Sequence, residues 1–242
     1  MSGFDLFCTG HLVIIGALPV IVIILTILAV KLPAKASDIL IKALSVAVLL
    51  GETLQDIQLT YEGGNIINYL PLHLCNLGIF VNLIASFSRG KVRAFFSEVS
   101  LTLIAPGAMF AIITPDWNYR PLLSWLPLMC FFTHILLVTI PVLMYARDYS
   151  KPSFKHFYYP YVFLIAAAIP IYLFDKHVNR NYMYLLYPAS DSPLSWMESF
   201  MGNPGYLLGV AIMLGMILFV IYSALWIIGR MVKKGNSEAH ET

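Results

Sequence analysis

The chain is 242 residues long, 59% hydrophobic and only 12% charged, with a formal net charge of +2 and a mean hydropathy of +0.78. A soluble domain carries about 25% charged residues, so a water-soluble globule is excluded and a membrane protein is expected. The positive charge forms no basic stripe, which removes nucleic acid as a partner, and the three unevenly spaced cysteines Cys8, Cys75 and Cys130 remove a disulfide framework.

A bilayer-crossing helix needs about 20 mostly apolar residues. Seven stretches qualify: 9–30, 39–61, 66–87, 92–113, 121–146, 157–174 and 206–229. The first follows Asp5 and has no basic leader, so it reads as a retained span rather than a signal peptide. Of the 15 Lys and Arg, only Arg120, Lys176 and Arg180 fall on one side; the rest lie in the opposite connections, the tail and, as Lys42, the start of the second span. The positive-inside rule then places the N-terminus outside and the C-terminus in the cytoplasm. The expected fold is all-α: a polytopic bundle of seven transmembrane helices over residues 1–229 and a polar, irregular cytoplasmic tail over 230–242. The expected location is a cell membrane.

In chain order, the first span carries His11 near its outer end, where an interfacial role is expected. Ser37 or Asp38 is placed to cap the second span. That span carries Glu52, Gln55 and Asp56, which at i, i+3 and i+4 share one helix face. The third holds Leu70-Pro-Leu-His-Leu-Cys75, with His73, Cys75 and Asn76 inside an apolar run, and Pro71 sets an early-helix geometry near Cys75. In the fourth, Glu98 is expected to pair with Arg93 or Lys91, and Pro106-Gly107 to kink the helix. Residues 114–120 have the aromatic content of a membrane interface. The fifth span places His134 near its centre with Cys130 one turn earlier and Thr133 alongside. Residues 175–205, with Asn181-Tyr-Met-Tyr184, are too long for a simple connection and are expected to fold back as a lid.

Polar side chains inside lipid are costly and tend to mark function. With a rise of 1.5 Å per residue, Cys75 lies about 13 Å below the outer face, His134 about 20 Å, and Glu52 near the midplane. Four chemistries fit these depths. Cys75 is a nucleophile with His134 as its base; His73, Cys75, His134 and Glu52 hold a metal, though without standard ligand spacing; Glu52, Asp56 and the histidines line a proton or ion path; or the polar groups satisfy one another and fix helix register.

These residues resemble the YwaF-like family of small bacterial integral membrane proteins, which includes transmembrane protein 164 of animals. The resemblance rests on Phe4, Phe7 and His11, on Glu52-Thr-Leu-Gln55, and above all on Leu70-Pro-Leu-His-Leu-Cys75. It continues through His134, Asn181-Tyr-Met-Tyr-Leu185 and Gly202-Asn-Pro-Gly-Tyr206. More distantly the architecture is similar to the androgen-induced-gene family of intramembrane lipid hydrolases. Two departures are Asn76, where the family has an acidic residue, and Asn203-Pro-Gly before Tyr206. The resemblance implies a lipid acyltransferase whose functional cysteine and histidine match Cys75 and His134. His73, Glu52, Gln55, Asp56, Asn76, His11 and Asn181 would form the supporting polar cluster. The expected partners are membrane phospholipids or lysophospholipids, with no cofactor and no metal. The rival reading is a small-solute transporter or ligand-binding subunit that uses the carboxylates and histidines; a third is a membrane scaffold.

Overall fold

The computed structural model describes residues 3–189 and 192–240, with the side chains of 193 and 232–240 left undescribed. Every regular element among the described residues is helical: α1 (Thr9–Lys31), α2 (Ala34–Tyr61), α3 (Leu74–Phe87), α4 (Gly90–Val99), α5 (Ala105–Ile113), α6 (Trp125–Ala146), α7 (Tyr159–Val178), α8 (Pro193–Met201) and α9 (Tyr206–His240). A π-helical segment, Ser100–Ile104, joins α4 to α5. The chain divides into two compact units, Met1–Lys151 and Pro152–Thr242.

Five helical stretches among the described residues are long and apolar enough to cross a membrane: Thr9–Lys31, Gly90–Ile113, Trp125–Ala146, Phe154–Val178 and Tyr206–Met231. Two expected spans fall outside that set for different reasons. α2 has the length but carries Glu52, Gln55 and Asp56 in its C-terminal half. The stretch 66–87 is not one helix. Ile66–Tyr69 forms a 3₁₀ turn, the backbone opens at Leu70, and α3 restarts only at Leu74. Pro71 explains the break, because it restricts Leu70 to extended geometry and offers no N–H to a helix passing through it.

α6 is the centre of the first unit and packs against α1, α2, α3 and α5. It buries residues on most of its circumference, including Leu137, Ile140, Leu143 and Met144. α1 buries only His11, Leu18 and Ala29, so most of its apolar surface faces outward. Gly78 lets α3 close on its neighbours; a Cβ there would lie 2.3 Å from Cγ2 of Ile104 in the π segment. Pro106 lacks an N–H, so the ladder widens before it: the Ala105 N–H reaches back to the Ser100 carbonyl, five residues away. The expected kink therefore takes the form of a π segment ahead of the proline.

Buried hydroxyls and amides lock these helices in register. Ser45 of α2 bonds Ser86 of α3 at 2.7 Å, and Ser100 of the π segment donates to the Asn82 side chain. At one end of the unit, Asp38 accepts from Lys42 at 2.6 Å and from the Tyr149 hydroxyl. Arg93 completes the group, 3.6 Å from Asp38 and 4.2 Å from the centre of the Tyr149 ring. Burial works to raise the Asp38 pKa, but the hydrogen bonds from Lys42 and Tyr149 and the charges of Lys42 and Arg93 outweigh it. They hold the carboxyl below its ordinary range. Arg93 thus turns to Asp38, and Glu98 of the same helix is buried.

In the second unit Phe154, Phe157 and Tyr222 pack ring against ring, and the Tyr161 hydroxyl donates to the Ala211 carbonyl at 2.9 Å. The two polar motifs of residues 175–205 serve each other. The Tyr206 hydroxyl donates to the Tyr184 carbonyl at 2.6 Å, and Asn203 donates to the Leu186 carbonyl at 2.7 Å. Helix α9 continues to His240, so the irregular tail expected after Gly229 is helical through the described residues.

Candidate functional site

The break at Pro71 decides where Cys75 stands. His73 is the N-cap of α3, with extended φ and ψ of −74° and 155°, and Cys75 is the second helical residue. The first intrahelical bond runs from the Leu77 N–H to the His73 carbonyl at 3.0 Å. The N–H groups of Leu74, Cys75 and Asn76 lie ahead of it and have no intrahelical acceptor. Cys75 is a free thiol that retains accessible surface, unlike a fully packed core residue.

Glu52 connects the surroundings of Cys75 to those of His134. Its carboxylate accepts from Asn76 Nδ2 on one oxygen and from Thr133 Oγ1 at 3.3 Å on the other. Asn76 follows Cys75 in α3, and Thr133 precedes His134 in α6. One side chain of α2 therefore pins the two helices that carry the candidate pair. One turn further along α2, Gln55 is buried and accepts from the Cys130 thiol at 3.6 Å. The face shared by Glu52 and Gln55 is thus turned toward α6, and Asp56 is half-buried beside it.

His134 has a defined tautomer. Its Nδ1 lies 2.7 Å from the Cys130 carbonyl, which can only accept, so Nδ1 carries the proton. Nε2 then presents a lone pair and has no hydrogen-bond partner among the described residues. The ring packs against Trp117, with centroids 4.8 Å apart. Cys75 and His134 make no hydrogen bond with each other. Asp116, which precedes Trp117 in the chain, is exposed.

Asp116 and Trp117 come from the 114–120 connection, which reads in the sequence only as an aromatic interface. What holds that connection inward is the N-terminal segment. The Phe4 N–H donates to the Asn118 carbonyl at 2.9 Å. His11 is fully buried rather than interfacial: its Nε2–H donates to the Ile112 carbonyl at 2.8 Å, and its Nδ1 accepts from the Phe7 N–H at 3.0 Å. Phe7 takes a left-handed φ of 61° to make that contact. His11 thereby satisfies a carbonyl in the last turn of α5, where the helix leaves it open. The Phe4, Phe7 and His11 rings group with Phe131 of α6.

Asn181 spends its amide locally. It accepts from the Leu186 N–H at 2.9 Å and donates to the Tyr187 carbonyl at 2.7 Å, holding its own loop in the second unit. His73 is exposed at the start of α3. Among the described residues, no three His, Cys, Asp or Glu side chains gather in a way that could hold a metal ion.

A family model described as the TMEM164 family matches residues 6–222. The chain belongs to the TMEM164 family. No curated protein and no solved structure matches it. As a TMEM164-family member with several helices apolar enough to cross a bilayer, it is a multi-pass membrane protein. The match runs from the Phe7–His11 segment to Tyr222. It therefore takes in the whole Glu52, Cys75 and His134 arrangement, and it agrees with the relationship to the animal protein that the Leu70–Cys75 motif suggests.

Proposed function

We propose that this chain is an intramembrane lipid acyltransferase that carries the acyl group as a thioester on Cys75, with His134 as general base. The observation that carries the reading is the Glu52 bridge, which joins the neighbours of the thiol and the imidazole across three helices. The free Nε2 of His134 adds to it, since a base must offer a lone pair. So does the place of Cys75 in the first turn of α3, where open N–H groups suit a developing oxyanion.

In the first half-reaction the Cys75 proton passes to His134 Nε2 as Sγ attacks the ester carbonyl of the donor lipid. The C–O bond then breaks, and the leaving lysolipid oxygen takes the proton back from the imidazolium. In the second half-reaction His134 takes a proton from the hydroxyl of an acceptor lysolipid, whose oxygen attacks the thioester; Sγ leaves and is reprotonated. The N–H groups of Cys75 and Asn76 serve the oxyanion in both. The pair would come into hydrogen-bond distance when the donor ester binds, as catalytic contacts often do. Donor and acceptor are both membrane lipids, so the cycle needs no soluble co-substrate.

Across the membrane, the chain crosses seven times with its N-terminus outside and its C-terminus in the cytoplasm of a bacterial inner membrane. α2 supplies a span whose polar face is turned inward. The 3₁₀ turn together with α3 supplies a broken one.

Purified protein given a phospholipid with a radiolabelled acyl chain tests the chemistry. Label should remain on the protein, be released by hydroxylamine, and disappear in Cys75→Ser and His134→Ala. Label that survives Cys75→Ser, or no label at all with active wild-type protein, overturns the mechanism.

A further inference from the structure

Trp117 stands next to His134, and the reaction above leaves its polar atom unused. The residue is only 6% exposed and sits in a cluster with Phe4, Ile112, Leu126, Cys130 and Phe131. Its ring lies 4.8 Å from that of His134 and 5.4 Å from that of Phe131. The indole Nε1–H is sealed from solvent and has no hydrogen-bond acceptor. Leaving such a donor unpaired is costly, and folded proteins pair nearly all of theirs. An unpaired donor beside a candidate base is the arrangement expected of a site whose acceptor arrives with the ligand.

The surroundings say what kind of acceptor that is. The cluster around the indole is apolar, so the acceptor must enter on an apolar carrier. A groove of about 390 Å³ between α1 and α6 opens on the outer face of the helices, lined by Ile14, Ile21, Leu128, Phe131, Phe132 and others. Phe131 is common to that groove and to the Trp117 cluster. An acyl chain lying along the groove would bring a neutral carbonyl oxygen toward the indole, whereas a phosphate would have to be stripped of water among hydrocarbon side chains.

We propose that the Trp117 indole N–H donates a hydrogen bond to the ester carbonyl of the bound acyl lipid and so orients the donor toward Cys75. The proposal rests on the acyltransferase reading for its purpose, but it can be tested as binding alone. Trp125, Trp196 and Trp226 are exposed, so replacing them with Phe leaves Trp117 as the sole indole. Adding Cys75→Ala to that protein removes the proposed chemistry. In an ester-free detergent, ultraviolet resonance Raman of the indole N–H band is recorded before and after adding diacyl phosphatidylethanolamine or its dialkyl ether analogue. The diester should move the band to its hydrogen-bonded position, and the diether should leave it unpaired. An equal shift with both lipids, no shift with either, or a band already hydrogen-bonded in detergent overturns the proposal. In the otherwise wild-type protein, Trp117→Phe keeps a ring against His134 and should weaken diester binding about tenfold, the worth of one hydrogen bond. Unchanged diester affinity overturns it. A diester-specific Raman shift in a protein whose wild type never forms a thioester would keep the ester site while removing the acyl-transfer mechanism.

Discussion

Glu52 is the residue on which the candidate site depends most directly. Its two oxygens serve two different helices, so removing it leaves both Asn76 and Thr133 without their acceptor. Glu52→Leu should lower stability by about 1–3 kcal/mol, read as thermal unfolding in detergent, and should also lower the yield of thioester. Glu52→Gln can still accept from one partner and should retain much of both. The transporter reading predicts the reverse, with Glu52→Gln abolishing function and Cys75→Ala sparing it, so the two variants side by side decide between them. That Glu52, Gln55 and Asp56 share one face of α2 was legible from their spacing; that this face turns toward α6 was not. Nor was the place of Trp117, because short connections rich in aromatics normally lie at the membrane surface. The nearest signal was the aromatic start at Phe4 and Phe7 followed by His11, whose purpose of holding that connection inward emerges only when the chain is folded.

Among the elements, α3 shows how a hydropathy window can mislead. Residues 66–87 are apolar enough to average as one span, and the averaging conceals Pro71, although the proline is plain in the sequence. The π segment is a related case: Pro106 announced a bend, and the chain takes up its missing N–H by widening the preceding turn, which packs against α3 and α6. The Asp38 group, which ties α2 to α4 and to the connection after α6, carries its own pH signature. The folded-state pKa of Asp38 is depressed, so its contribution is present above the ordinary carboxylate value of about 4 and is lost as pH falls through the lower folded value. Since Asp38 is 29% exposed, solvent screening limits that contribution to about 1 kcal/mol. Asp38→Asn should therefore reduce the unfolding temperature modestly at pH 7, and the gap from wild type should close as both are measured toward pH 3. A gap independent of pH would mean that the carboxylate's charge is not what matters.

For the whole molecule, composition alone identified a helical membrane protein, and motifs scattered from Phe4 to Tyr206 pointed to the family. The span count was harder to read: α2 is too polar and α3 too short to register as simple spans. The orientation is open to a direct test. Green fluorescent protein fused after Thr242 should fluoresce, and alkaline phosphatase at the same position should be inactive; the opposite pair of results reverses the topology. The broken third segment has one further consequence. A helix of 14 residues is about 21 Å long, against a hydrocarbon layer of about 30 Å, so α3 set upright from the cytoplasmic boundary stops roughly 9 Å short of the opposite leaflet's headgroups. On the proposed chemistry and topology, the Cys75 sulfur would then work at a fixed level among the upper methylenes, acting as a depth gauge. Which ester linkages sink far enough to meet it would be governed by the thickness of the host bilayer as much as by headgroup chemistry.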